Sequence, residues 1–402
     1  MTIGIDASRA NRIRRTGTEW YSFYLIKNLA KIDKNNKYIL YLDERPQEDL
    51  KKIVSNNPNF SFIVLAWPLN FFWTLGRLSL EMLIHRPDVL FVPGHTMPLF
   101  YPKKTIITIH DIAFAREDRL YRSEQATTDA PWSKKVLNFF VSMITRGKYQ
   151  ANSLDYLDWS TRFALKNAKK IITVSQFTKK EILEIYPFAQ SEKIIPIHNG
   201  FPAEAYFPID SETKINEVLT KYGIEAPFFL YVGRLEKKKN TPLLIESLSM
   251  LKDKHPEVKE RLVLIGTAGF GFDEAKYLVE QFNLSSQVLA TGWVDELDLP
   301  YIFNSASSFV FPTRHEGFGI PVIQAMACGL PVVASDIPVL REIAEDSAIF
   351  FKANNKEALV EAMYQSVVND KLRRELKIKG IKRAADFSWE KCARETLKVI
   401  ED

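Results

Sequence analysis

Residues 308–335 read SFVFPTRHEGFGIPVIQAMACGLPVVAS. An apolar run, Ser308–Phe311, opens into a glycine-bearing loop, a helical stretch follows as far as Gly329, and a second apolar run, Pro331–Ala334, succeeds it. Strand, loop, helix and strand in that order form one unit of a parallel sheet. Pro321 suits the first helical position, where its missing N–H would be unpaired in any case. Gly329 suits the helix C-terminus. The loop Glu316-Gly317-Phe318-Gly319 therefore feeds a helix N-terminus. Backbone N–H groups and the positive end of the helix dipole attract anions there, and glycines let a phosphate come close. A carboxylate beside a phosphate would repel it, so Glu316 is expected to face ligand hydroxyls. The competing reading makes Glu316 a simple helix cap. Gln324, an amide, stands eight positions later, where a second acid would lie on a nearby face.

The same unit repeats outward from this stretch. Candidate strands are Thr2–Ile5, Tyr38–Leu42, Phe60–Leu65, Val89–Phe91, Thr105–Thr108 and Ile171–Val174, then Phe229–Val232, Arg261–Ile265 and Val288–Ala290. Helical patterns fill much of the space between them. The alternation predicts an α/β chain with two doubly wound, Rossmann-like domains. Between the two runs lies HNGFPAEAYFPIDSETK, residues 198–214, with Asn-Gly, two prolines and no periodicity. These are linker signals, and they place the boundary near residue 200. Two such domains are expected to face a cleft, with strand carboxyl ends turned to a ligand.

Several strand ends carry chemistry. FLYVGRLEKKKN, residues 229–240, is a strand, a glycine turn, Arg234 and a lysine cluster ending in Lys239. Arg234 offers a planar fork for phosphate and Lys239 a point charge; a solvated charge run is the plainer reading. RRTGTEWYSFYLIKNL, residues 14–29, holds one glycine, Gly17, where a dinucleotide fingerprint requires G-x-G-x-x-G. GTAGFG, residues 266–271, lacks that spacing too and reads equally as a structural turn or a ligand loop. His110 ends a strand, either as a structural imidazole or as a functional one. No Walker motif, metal-ligand spacing or Asp-x-Asp pair is present. The expected site is metal-free, without cofactor, and neutralises phosphate with Arg, Lys and the helix dipole.

Composition sets wider bounds. The 402 residues are 46% hydrophobic, enough for substantial cores. Two cysteines, Cys328 and Cys392, give neither a disulfide framework nor a thiolate metal site. No signal-peptide pattern and no apolar run of spanning length is visible, so a soluble, cytoplasmic protein is expected. Net charge is +5, unevenly placed. Residues 131–170 hold eight Lys/Arg against two acids, interleaved with Trp132, Phe139, Phe140 and Trp159. Three readings compete for that window: a solvated helix face, contact with an anionic membrane, and a nucleic-acid backbone. Nothing nearby resembles a nucleic-acid-binding module, so no nucleic acid is expected as a partner.

Taken together, these motifs resemble the retaining glycosyltransferases of family four. The likeness is carried by YVGRLEKKKN, LVLIGTAG, the long run from Val288 to Asp336 and the late FSWEKCARETL, with ITIHDIAF and ITVSQFTKKEI in the first half. ITIHDIAF looks like the bacterial mannosyl- and rhamnosyl-type members. The resemblance implies a GT-B fold: an acceptor-binding domain over 1–200, a nucleotide-sugar-binding domain over 201–387, and a final helix, 388–402, crossing back to the first domain. It implies that Arg234 and Lys239 bind the donor diphosphate, helped by the backbone of Gly317, Phe318 and Gly319. Gly17 matches a loop that closes over the phosphates. His110 matches a histidine at the donor sugar, and Glu316 the first acid of an E-x7-E motif lying against the transferred sugar. Gln324 replaces the second acid, which usually holds the ribose. The partners implied are a nucleotide-sugar donor and a glycan or lipid-linked acceptor, at the inner face of the cytoplasmic membrane in the latter case. An epimerase of the same fold and an inactive donor-binding scaffold are the alternatives.

Overall fold

Short runs rich in Val, Ile, Leu and Phe become strands buried on both faces, as parallel sheets require. In the computed structural model, which describes residues 1–68, 72–116 and 153–402, these strands form two all-parallel sheets. The chain divides into two units, Met1–Gly200 with Trp389–Asp402, and Phe201–Ser388.

The sheet of the first unit contains β1 (Thr2–Asp6), β2 (Lys37–Leu42), β3 (Phe60–Val64), β4 (Val89–Val92), β5 (Thr105–Ile109), β6 (Lys170–Thr173) and β7 (Ile194–Pro196). Their spatial order is β3-β2-β1-β4-β5-β6-β7. Every residue of β4 and β5 is buried. Leu90, Ile107, Ile109, Met82 and Ile171 belong to the core on which helices pack. The second unit contains β8 (Phe228–Val232), β9 (Arg261–Ile265), β10 (Val288–Gly292), β11 (Ser308–Phe311), β12 (Val332–Ser335) and β13 (Ile349–Phe351), ordered β10-β9-β8-β11-β12-β13. Strand order reverses between β1 and β4 in one sheet and between β8 and β11 in the other. Loops leave such a switch point in opposite directions and open a crevice at the carboxyl ends.

The last helix, Trp389–Glu401, packs within the first unit on the helix Gly17–Ile32. The Trp389 ring stacks on Tyr24 with centroids 5.5 Å apart and meets Tyr21 edge-on at 6.0 Å. At its far end Asn36 Nδ2 donates to Glu401 Oε1 at 3.1 Å. Trp389, Cys392, Ala393, Thr396, Val399 and Ile400 are its buried residues, a stripe at helical spacing that is apolar but for Thr396.

Two strands escape the sequence reading, β7 and β13. Both are three residues long and lie at sheet edges. Pro196 is tolerated in β7 because an edge strand has one side without a ladder. The stretch 198–214 carries no helix or strand until Glu212–Tyr222 begins, so its last residues belong to a helix rather than a linker. Among the described residues no helix is long and apolar enough to cross a membrane.

Candidate functional site

In the second unit the loops after β8 and β11 meet at the switch point. The first runs Gly233–Asn240 and makes a single 3-10 turn at Lys237–Lys239. Its path depends on close backbone approach. Gly233 N donates to Ile265 O at 2.9 Å, and a Cβ on Gly266 would lie 2.0 Å from Gly233 O. GTAGFG is thus a brace for the Arg234 loop: Leu235 N donates to Thr267 O, and Gly269 N to Leu235 O. The structural reading of that motif accounts for its first glycine.

The loop after β11 is tied to the same place, since Arg314 N donates to Lys238 O at 3.0 Å. One ion pair then closes the arrangement: Lys239 Nζ donates to Glu316 Oε1, with the two side chains 14% and 15% exposed. Two residues 77 positions apart in sequence thereby share one spot. Arg234 is 58% exposed, its Nε 3.6 Å from Glu236 Oε2, while Lys238 Nζ lies 3.3 Å from Glu236 Oε1. Glu236 is itself buried and the sequence reading missed it; an acid inside a lysine run is the signal it offered.

The helix Ile320–Ala327 begins on Gly319, whose φ of 106° is left-handed backbone that glycine alone adopts without strain. Pro321 stands second in the helix, not first, and no side chain caps this end. The capping reading of Glu316 therefore loses its support, because the carboxylate turns to Lys239. Gln324 is 6% exposed. Its side-chain amide has no hydrogen-bond partner among the described residues, although its backbone oxygen accepts from Cys328 N at 3.1 Å.

The first unit has a different strand-end cluster. His110 follows β5, and its Nε2–H donates to Pro93 O at 3.2 Å. That bond leaves Nδ1 as an acceptor while the ring is neutral. Burial pushes its pKa down to about 4, helped by the positive charge of Arg9, so it is neutral at physiological pH. His95, after β4, is lowered to about 4 for the same reasons. The His110 ring meets Tyr21 edge-on at 4.7 Å. Gly17 lies one turn before Tyr21 and is the first residue of the helix Gly17–Ile32, not a loop residue. A Cβ there would meet nothing within 4 Å, so packing does not demand a glycine. Arg9 and His95 were missed by the sequence reading, since nothing in their local pattern marks them.

Other chemistry is inert or lies outside the described residues. Burial pushes the Cys328 thiol up to about 12, which disqualifies it as a nucleophile. Among the described residues no group of three or more His, Cys, Asp or Glu could hold a metal ion. Of the basic window 131–170, residues 131–152 are not described. In the remainder, Arg162 Nε pairs with Asp158 Oδ2 at 2.7 Å and Lys166 Nζ lies 5.2 Å from the centre of the Phe188 ring.

Two family models match consecutive parts of the chain: Glycosyltransferase Family 4 over residues 15–205 and Glycosyl transferases group 1 over residues 214–383. The chain belongs to glycosyltransferase family four. As a member it is a retaining hexosyltransferase with the GT-B fold. This glycosyltransferase is 28% identical over 306 residues to the O-antigen chain mannosyltransferase B of Escherichia coli, a match covering 75% of this chain and 78% of the relative. It is 27% identical over 265 residues to the serotype-specific mannosyltransferase WbdA of the same organism, where the match spans 65% of this chain and only 32% of that longer protein. Among solved structures, sucrose-phosphate synthase from Thermosynechococcus elongatus superposes with a TM-score of 0.73 at 19% identity, covering 100% of this chain and 98% of its own; at that identity the likeness is one of fold.

Proposed function

We propose that this glycosyltransferase moves mannose or a closely related hexose from a nucleoside-diphosphate sugar, such as GDP-mannose, to a glycan or lipid-linked acceptor in cell-surface polysaccharide synthesis. The observation that carries the reading is the Lys239–Glu316 pair, which joins the β8 and β11 loops at a switch point beside an uncapped helix N-terminus. Support for the hexose comes from the mannosyltransferases among the relatives.

The chemistry follows from the charges. A leaving diphosphate gathers negative charge as the sugar C1–O bond breaks, and preorganised cations in a sheltered site lower that barrier. Arg234 extends an exposed fork into that role, with the backbone of Gly317, Phe318 and Gly319 below the phosphates. Lys239 is held by Glu316 until phosphate arrives. A diphosphate carries more charge than one carboxylate, so it draws Lys239 away and frees Glu316 to support the positive, oxocarbenium-like sugar. The unpartnered amide of Gln324 takes the ribose, donating and accepting once each. Neutral His110 offers Nδ1 to a sugar hydroxyl, and Gly17 leaves room for ligand atoms beside the first turn of its helix. Neither role requires a metal. A lipid-linked acceptor would bring the enzyme to the inner face of the cytoplasmic membrane.

The test is a screen of nucleoside-diphosphate hexoses, following nucleotide release with and without oligosaccharide or polyprenyl-linked acceptors. Release that rises with acceptor and yields a glycoside of unchanged anomeric configuration is the expected result. Free sugar or an epimer formed at the full rate without acceptor would give the protein to the epimerase reading. Silence with every donor, alongside measurable nucleotide binding, would make it a scaffold.

A further inference from the structure

We infer that the surface made by residues 79–86 and 99–104 of the first unit docks the enzyme on an anionic lipid bilayer. The short helix Ser79–Ile84 buries Ser79, Glu81 and Met82 and turns Leu80, Leu83 and Ile84 to solvent at 48%, 45% and 72% exposure. Those three positions are spaced i, i+3, i+4 and share one face. A solvated helix face is normally polar, so an apolar stripe there marks a surface made to be covered. A second segment lies alongside, since Leu99 N donates to Ser79 Oγ at 2.8 Å and leads directly to Phe100, which is 46% exposed.

Charge decides what covers it. The two segments continue into Arg86 and into Lys103 and Lys104, which with Lys169 line one concavity of about 440 Å³ at the start of β4, β5 and β6. Asp88 and Asp402 share that lining. Both carboxylates keep their charge, and the four cations Arg86, Lys103, Lys104 and Lys169 outnumber them; Asp88 accepts from Thr2 N at 2.7 Å, and Lys104 Nζ donates to Glu401 O at 3.0 Å. Among the described residues Lys103 and Lys169 make no ion pair, and both are exposed. Apolar side chains flanked by unpaired cations match the boundary of a bilayer with anionic headgroups, where the apolar groups enter the acyl region and the lysines stay among phosphates. A protein partner would need acids spaced to meet these lysines around an apolar seat, and a second copy of this chain would bring like charge against like. The surface is independent of the donor site, and it uses no residue given a role there.

Vesicle sedimentation of the full chain tests it. Phosphatidylcholine vesicles with about one third phosphatidylglycerol are compared with phosphatidylcholine alone, with no glycan acceptor present. Binding is expected on the anionic vesicles and should fall steeply with added salt. Lys103→Glu with Lys169→Glu should lower partitioning by about tenfold or more, as two lysines near a charged surface would. Leu83→Gln with Ile84→Gln should lower it as well while leaving the salt dependence of the residual binding in place. Both variants should keep normal circular dichroism and normal turnover of a water-soluble acceptor. Equal recovery on neutral and anionic vesicles overturns the inference, as does unchanged binding by both variants. Concentration-dependent dimerisation abolished by the glutamine variant would assign the face to a second copy instead. Loss of vesicle binding with intact donor turnover separates this surface from the donor reading.

Discussion

The two strand-end clusters make an instructive pair. Each sits at the switch point of a parallel sheet, where loops after two strands diverge. The one beyond β8 and β11 is ionic: Arg234, Lys238 and Lys239 are set against Glu236 and Glu316. The one beyond β1, β4 and β5 sets Arg9 beside two histidines that burial holds neutral, one of them bonded to a backbone carbonyl. A doubly wound sheet supplies only the crevice. Loop residues decide whether that crevice stabilises a charged group or presents neutral hydrogen-bonding atoms. The first suits a diphosphate and the second a sugar hydroxyl.

The comparison breaks most sharply at Glu316. Glu316→Gln keeps the shape and removes the charge, and transfer should fall about 100-fold or more. Nucleotide binding should hold or tighten, because Lys239 loses its competing carboxylate. Normal transfer by this variant, measured by initial rates, would reduce Glu316 to a tether for Lys239. Next in size is Arg234→Ala. Loss of a charge-assisted hydrogen bond costs roughly 2–3 kcal/mol, about 30- to 150-fold in nucleoside-diphosphate affinity. Calorimetry giving an unchanged Kd would move the phosphates elsewhere. Added chelator should leave turnover intact in the same assay.

On the neutral side the prediction concerns pH. The folded pKa of His110, about 4, lies below the ordinary 6.5. As pH falls, the unfolded chain therefore takes up the proton first. Stability is full above about 6.5 and is lost as pH drops towards 4, with His95 acting in the same direction. The thermal midpoint should fall over that window, and His110→Gln should flatten the slope. A slope unaltered by the substitution would contradict the buried, neutral ring. The smallest effect is expected at Gln324. Gln324→Glu adds charge assistance toward a ribose and repulsion toward phosphate, so the donor KM should move by less than about tenfold. A larger rise in KM would show that the amide was selected against charge.

Much of this was legible before any coordinates. SFVFPTRHEGFG announced a strand, a glycine-bearing loop and a helix start, and all three are present where the residues demand them. Arg234 and Lys239 declared themselves by standing after a glycine turn at a strand end. What stayed hidden depends on tertiary approach. Lys239 and Glu316 meet only because β8 and β11 are neighbours, and no local pattern encodes that order. Arg9 and His95 are single residues with no periodicity around them, gathered by the reversal of strand order between β1 and β4. The edge strands β7 and β13 are too short to produce alternation. The resemblance gave Gly17 to a loop, whereas its helix starts three residues before the first apolar residue, Trp20.

The last helix has a consequence for how the chain is made. A ribosome completes all of Phe201–Ser388 before it reaches Trp389, yet the partner of that helix is formed from residues near the beginning. Until Trp389 arrives, Tyr21 and Tyr24 lack the ring that the last helix lays against them, and the nascent first unit carries an open apolar flank. That flank waits through the synthesis of a whole second sheet, a long exposure for a surface prone to stick. A stop codon at Trp389 should therefore damage the first unit rather than the second, leaving a sound second unit attached to a first unit that chaperones and proteases recognise.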